Sequence, residues 1–255
     1  MEIVYGPVSS WRLGRSLGVD PICREGKICS FDCIYCSLGP TTKKAIGRKI
    51  FVSTDQVARS LKKAIKKVEA DVVTFSGTGE PTLAQNLGEL IEIARDISGL
   101  PVAVLTNSSL KTRKDVRSDL AKADIVKGKL DVPNEELFGR INRPHEKILF
   151  RDIVNGLKKF RGEFNGQFQL EVMFVPENKN FSEEIAKIVK DIRPDEVQIN
   201  TPLRPSAAKP LSPKELREIQ RSFEGMSFRS VFEAKKSSVG EVVGKRKLKK
   251  LKRVA

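Results

Sequence analysis

The sequence predicts an α/β protein whose parallel sheet curls into a (β/α)6 partial TIM barrel with a short basic C-terminal extension, and three observations predict it. Apolar strand-like runs alternate with amphipathic stretches, as in a parallel sheet covered by helices. Six such strand-and-helix units follow one another between residues 16 and 200. Three of the strands carry a polar row along one face, whereas parallel strands buried on both faces read as continuous apolar runs.

The first strand is expected near residues 16–20, just ahead of a cysteine-bearing loop. Ser53-Thr-Asp-Gln56 fits a capping box, and Val57, Leu61, Ile65 and Val68 then recur at helical spacing before a strand at 71–76. A helix near 84–97 leads to a strand at 101–106, and a helix near 113–122 to a strand at 124–131. A short helix at 134–141 and a longer one at 150–161 precede a strand at 167–175, and a helix at 182–192 precedes the last strand at 195–200. Residues 205–213 read as a proline-containing linker, Pro213 to Glu224 as a final helix and 225–255 as a basic appendage. The expected division is therefore a barrel core over 1–205 and a C-terminal helix with basic tail over 206–255.

Alternation places Lys127, Lys129 and Asp131 on one face of the fourth strand. Gln167, Gln169, Glu171 and Met173 take that face on the fifth, and Glu196, Gln198 and Asn200 on the sixth. Phe168, Leu170, Val172, Val197 and Ile199 point the other way. A packed barrel fills its lumen with branched apolar side chains, so the polar rows predict a water-accessible or ligand-filled channel.

No stretch approaches the ~20 consecutive apolar residues of a membrane span, and the N-terminus lacks a secretory pattern. The expectation is a cytoplasmic protein with no membrane partner. Lys and Arg outnumber Asp and Glu by 47 to 32, a net charge of +15 that attracts polyanions, although a generally Lys-rich composition gives the same excess. The run Lys245-Arg-Lys-Leu-Lys-Lys-Leu-Lys-Arg253 contains no acid and fits a weakly amphipathic basic helix or a solubilising segment.

Three of the four cysteines fall within eight residues, as Cys29-Ser-Phe-Asp-Cys33-Ile-Tyr-Cys36. Such a cluster argues for a reducing compartment and for metal rather than disulfides. Three thiolates so spaced can hold three corners of an iron-sulfur cube and leave one iron open. The competing reading is a zinc knuckle with Cys23 as fourth ligand, but zinc sites favour paired C-x2-C spacings and only one is present.

C-x3-C-x2-C with an aromatic residue, Tyr35, before the last cysteine resembles the signature of the radical S-adenosylmethionine (SAM) superfamily. Val72-Val-Thr-Phe-Ser-Gly77-Thr-Gly79-Glu80-Pro81 is similar to that superfamily's GGE motif, with Thr78 at the first glycine position. Thr106-Asn107, Lys129-Leu-Asp131, Ile141-Asn-Arg-Pro-His145 and the opening Tyr5-Gly-Pro-Val-Ser-Ser-Trp-Arg-Leu-Gly-Arg-Ser-Leu-Gly-Val19 extend the likeness. They resemble a branch often grouped with the wyosine-base-forming tRNA enzymes.

The resemblance implies a 4Fe-4S cluster on Cys29, Cys33 and Cys36, SAM chelating the fourth iron, and an external electron donor. It implies reductive cleavage of SAM to a 5'-deoxyadenosyl radical, in an enzyme of iron-sulfur oxidoreductase or transferase type. Glu80 would hold the methionine ammonium, with Gly77, Thr78 and Gly79 letting backbone approach the ligand. Tyr35, Asp131, Gln198 and Asn200 join the candidate cofactor contacts. Thr106 and Asn107 fit either the SAM ribose or a helix cap. Lys129 and Glu171 fit ribose or substrate contacts, or a structural buried pair. His145, the only histidine, is a candidate proton donor or a loop residue. One remaining thiol, Cys23, excludes a second cluster built from this chain's own cysteines.

Basicity and family neighbourhood point to an RNA substrate, with tRNA foremost. The alternatives are the same chemistry on a protein side chain or small metabolite, and a non-catalytic RNA-binding protein with a structural iron-sulfur or zinc site.

Overall fold

The computed structural model describes residues 2–234 and 238–243; the basic run 245–253 lies outside the described residues. An opening hairpin, β1 (Val4–Ser10) with β2 (Gly14–Val19), leads into a loop where the two-residue strands β3 (Ile28–Cys29) and β4 (Lys43–Lys44) pair. Helix α1 (Thr54–Ile65) is followed by β5 (Val72–Phe75), α2 (Leu87–Ser98) by β6 (Val102–Leu105), and α3 (Lys114–Leu120) by β7 (Ile125–Lys129). The one-turn α4 (Glu135–Leu137) runs into a π-helical turn, Phe138–Asn142. Then come α5 (Phe150–Glu163), β8 (Gln167–Met173), α6 (Ser182–Ile192), β9 (Glu196–Asn200), α7 (Pro213–Gln220) and β10 (Phe228–Ser230).

The main sheet runs β1-β2-β5-β6-β7-β8-β9-β10, with only β1 antiparallel to its neighbour. The six expected strands are β2 and β5 to β9. Two more flank them. β1 escapes the sequence pattern because Gly6 and Pro7 interrupt its alternation, and proline is tolerated only where, as here, the strand is an edge. β10 lies inside the stretch expected to be a basic appendage; three residues are too short for a periodic signal, yet they pair in parallel with β9.

The helices begin where their caps dictate. Ser53 and Gln56 close the expected capping box, and Ser212 does the same with Glu215 before Pro213. Gly99, at φ 64°, ends α2 in the left-handed conformation. The helix expected at 134–141 is instead one α-turn and a π-turn, whose widened spacing directs Asn142 inward, where it is buried.

Outward-facing Val73, Phe75, Val104, Val126, Phe168, Leu170, Val172 and Ile199 are fully buried in one core with Leu61, Leu90, Leu120, Leu157, Phe160 and Val189 of the helices. Each such side chain contributes about 1.5–3 kcal/mol. The inward polar rows meet as expected and pack on one another over much of their length, while Glu171, Met173 and Asn200 also line a cavity. Lys127 Nζ lies 2.6 Å from Glu171, Asn200 donates to Glu171 at 2.9 Å, Gln198 donates to Gln169 at 2.8 Å, and Arg229 of β10 pairs with Glu196 at 2.6 Å. Buried ions and amides must be matched, and these contacts match all but Gln198 Oε1, which is buried without a partner. Open space lies against β1, β2 and β5, where Val8, Ser16 and Thr74 face it.

Candidate cluster and cofactor site

β3 delivers Cys29 to the C-terminal end of the sheet, and the loop after it is pinned from two sides. Asp32 N and Ile34 N donate to Asn142 O and Ile141 O, both at 3.0 Å, and the Asp32 carboxylate accepts Thr41 N at 2.7 Å. All four cysteines are free thiols. The Lys27 ammonium is buried inside the same loop, donating to Gly39 O at 3.3 Å. Burial, reinforced by the Glu80 carboxylate, pushes the Cys29 thiol up to about 12; burial, with Asp131 adding to it, pushes Cys33 up to about 11. A bound cluster must therefore displace protons from these sulfurs. Cys23 stands apart at φ 40°, its N–H held by Asp20 at 2.9 Å.

The Gly-Glu turn is joined to this loop through backbone. Ile28 N donates to Thr78 O and Glu80 N to Ile28 O, each at 3.1 Å. A Cβ on Gly79 would lie 1.6 Å from Ile28 O, and one on Gly77 would lie 2.0 Å from the Asp20 carboxylate, so both positions require glycine for close approach. Asp20 organises the turn by accepting Ile22 N, Cys23 N and Thr78 N. Sequence reasoning missed it; its only signal is a carboxylate at the end of the first parallel strand.

Glu80 is 2% exposed and faces inward. Its Oε1 accepts Thr106 Oγ1 at 2.6 Å and both Thr82 N and Oγ1, while Oε2 accepts Asn107 N at 2.8 Å. Asn107 donates through Nδ2 to Ser30 at 2.8 Å and to the Cys29 sulfur at 3.5 Å. Glu80, Thr106, Asn107 and Cys29 thus form one connected network. Neither Thr106 nor Asn107 caps α3, whose N-cap is Arg113.

A second network reaches the loop from below. The Tyr35 hydroxyl donates to Asp131, and Asn142 Nδ2 contacts Asp131 at 2.9 Å, Tyr35 at 3.1 Å and the Cys33 sulfur at 3.6 Å. Burial, followed by the neighbouring Asp131 charge, raises the Tyr35 hydroxyl well above its ordinary range. Lys129 lies 3.3 Å from Asp131, 3.6 Å from Glu171 and 4.9 Å from the Tyr35 ring centre. Burial opposes ionisation of Glu171, but Arg12, Lys127 and Lys129 hold it well below the usual carboxylate range. Burial, then the Arg12 charge, lowers Lys127 to about 7.

A cavity of about 390 Å³ opens between the two edges of the sheet. Tyr35, Ser37, Glu171, Met173 and Asn200 line its inner part, and Trp11, Arg12, Leu203 and Arg204 its outer part. Arg12, in the β1–β2 turn, crosses to Glu171 at 3.1 Å. Of the residues singled out in the sequence, Tyr35, Glu171 and Asn200 line this cavity. Gln198 is fully buried among Gln169 and Glu196, and Lys129 and Asp131 lie behind Tyr35. His145 is a turn residue outside the cavity lining, with its N–H on Ser30 O at 2.8 Å and its Nδ1 accepting Lys147 N.

The Radical SAM superfamily matches residues 26–192, the span from the cluster loop through α6. The chain belongs to the radical SAM superfamily. A UPF0026 protein of Methanocaldococcus jannaschii is 36% identical over 98% of this chain and 75% of its own length, and one of Synechocystis is 41% identical over 87% and 79%. A protein of Brachyspira hyodysenteriae named GTPase Obg is 40% identical over 87% of this chain, which covers 33% of that protein. Among solved structures, Streptococcus suis SuiB bound to S-adenosylmethionine superposes with a TM-score of 0.64 at 15% identity, over 86% of this chain. The chain spans about half the length of SuiB. A radical SAM methyltransferase of Sphaerobacter thermophilus superposes at 0.63 with 16% identity, over 84% of this chain and 65% of its own.

Radical SAM enzymes use a 4Fe-4S cluster and SAM, and the residues here fit both groups. Three free thiols lie in one short loop that also buries the Lys27 ammonium, amide N–H groups point at two of the sulfurs, and the glycine turn lies against the strand that delivers Cys29. Among the described residues no set of three His, Cys, Asp or Glu side chains is placed to hold one metal ion. No helix among them is long and apolar enough to cross a membrane.

Proposed function

We propose that this radical SAM enzyme modifies a nucleotide of an RNA, with tRNA the first to test, and that the nucleotide enters the cavity between the sheet edges. The observation that carries this reading is the lining of that cavity. It begins at Tyr35 and Ser37 on the cluster loop and ends at Trp11, Arg12 and Arg204. The indole face not covered by Arg12 offers a stacking surface to a base, the Arg204 guanidinium suits phosphate, and the hydroxyls of Ser10, Ser16, Thr74 and Ser76 suit ribose and base edges. The volume admits one nucleotide and no duplex, so the target base must leave its stack. The net charge of +15 favours a polyanionic carrier of that nucleotide.

When bound, the cluster and SAM together supply a 5'-deoxyadenosyl radical by one-electron cleavage. Cys29, Cys33 and Cys36 hold the cluster. Glu80 Oε1 is filled by three donors, while Oε2 accepts one and retains acceptor capacity for the methionine ammonium. Tyr35, fixed by Asp131 and Asn142, forms the wall between cluster loop and cavity. Glu171 and Asn200 present polar atoms to the ribose side.

The test is to incubate reconstituted protein, SAM and a reductant with tRNA from a strain lacking the gene. A new nucleoside mass and RNA-stimulated release of 5'-deoxyadenosine are expected. Unchanged nucleosides, with SAM cleavage indifferent to RNA, would overturn the RNA assignment and favour a peptide or metabolite.

A further inference from the structure

Two of the three cluster sulfurs have their own hydrogen-bond donor, and a buried ammonium sits in the same loop; the three groups come from separate segments. Asn107, just beyond β6, points Nδ2 at Cys29 at 3.5 Å. Asn142, at the end of the π-turn, points Nδ2 at Cys33 at 3.6 Å. Lys27, two residues ahead of Cys29, places its ammonium inside the cluster loop, on Gly39 O. None of the three was singled out in the sequence for this role.

All three donors are held in place. Asn107 is fixed by Glu80 on its backbone N–H, by Ser30 on Nδ2 and by Ser109 N on Oδ1. Asn142 is oriented by Asp131 and Tyr35, whose oxygens require an N–H at that position, and its Oδ1 is left buried without a partner. Lys27 is only 5% exposed, donates to Gly39 O at 3.3 Å and has Asp32 3.9 Å away.

An iron-sulfur cluster's potential follows its net charge, the hydrogen bonds to its sulfurs and its exposure to solvent. Three thiolates give the oxidised cluster a net negative charge, and one electron from an external low-potential donor adds another. Donors aimed at sulfur therefore stabilise the reduced form more than the oxidised form. Two carboxylates act in the opposite sense, Glu80 near Cys29 and Asp131 near Cys33. Both are already neutralised in part, Glu80 by four donors and Asp131 by Lys129, Asn142, Tyr35 and the Met173 N–H.

We infer that Asn107 and Asn142, each donating to one cysteine sulfur, together with the Lys27 ammonium buried in the same loop, raise the cluster's reduction potential and so set how readily an external donor loads the electron. They are positioning and tuning residues; the two asparagines touch the cluster's ligands, and none of the three touches the substrate. The inference rests on the cluster and not on the RNA reading.

The test is a redox titration of the anaerobically reconstituted full chain, without SAM or RNA, following the reduced-cluster signal and iron content. Lys27→Met is expected to lower the ratio of reduced to oxidised cluster at fixed potential about tenfold, equivalent to a midpoint about 59 mV more negative. Lys27→Arg, which keeps the charge, is expected to stay within about twofold of the parent, and Asn107→Ala and Asn142→Ala to lower the ratio about threefold each. Fully loaded variants with unchanged or more positive midpoints overturn the inference. If Lys27→Met takes up no iron, the two asparagine variants decide it by the same criterion. Because SAM and RNA are absent, a failed RNA assay leaves this result untouched.

Discussion

Gly79→Ala tests whether the Gly-Glu turn and the cluster loop are one mechanical unit. The added methyl would lie 1.6 Å from Ile28 O and 2.7 Å from Ile28 C, both backbone atoms, so no side-chain rotation relieves the overlap. The turn must withdraw by more than an ångström, which strains or breaks the Ile28 N–Thr78 O and Glu80 N–Ile28 O bonds. Overpacking costs about 1–3 kcal/mol, and each of the two lost bonds about 0.5–1.5 kcal/mol, so a destabilisation of about 2–6 kcal/mol is expected. For a chain of this size that is roughly 4–24 °C in melting temperature. The assay is thermal denaturation of the unloaded protein beside Gly47→Ala, where the added methyl meets nothing within 4 Å. After reconstitution, Gly79→Ala should also hold less iron, since Ile28 directly precedes Cys29. Equal melting temperatures and equal iron contents in the two variants would refute the coupling.

Three further outcomes are expected. Cys36→Ala should lose the cluster while Cys23→Ala keeps it, as read by iron and sulfide content; loss in both would place Cys23 among the ligands. Cluster loading should strengthen as pH rises from about 7 to 9, because the Cys29 and Cys33 thiols are raised and iron competes with their protons, with the advantage fading only near their elevated values. Iron affinity independent of pH over that range would contradict this protonation state. Deleting 244–255 should reduce the magnitude of the log-affinity against log-salt slope for single-stranded RNA by about two if three basic contacts are lost, and an unaltered slope would remove the tail from RNA binding.

How far the sequence was legible varies by residue, and the reasons are physical. The capping box at Ser53, Pro213 at the start of the last helix, and the alternation along β7, β8 and β9 are local signals, and they placed helices and faces correctly. Alternation reports which side chains share a face and says nothing about what crosses the lumen to meet them. For that reason the packing of Lys127 on Glu171, and of Gln198 on Gln169, was invisible, as was how much of the lumen it fills. Arg12 and Glu171 meet across 159 positions, and Asn142 and Cys33 across 109, separations at which no periodicity carries information. The cysteine spacing was legible because the ligands of one cluster lie in one short loop. Their hydrogen-bond donors were not, because they arrive from distant strands and turns.

The pairing of Val243 with Gly6 bears on how the protein behaves among its own copies. Gly6 N donates to Val243 O at 2.8 Å and Val243 N to Gly6 O at 2.6 Å, along the outer edge of β1. An uncovered edge strand is a template for another chain. Val243 therefore acts as an edge guard, and a chain ending just before it should self-associate, whereas one ending just after it should not. The boundary between a tail that can be trimmed and a sheet that must be shielded falls at a single residue.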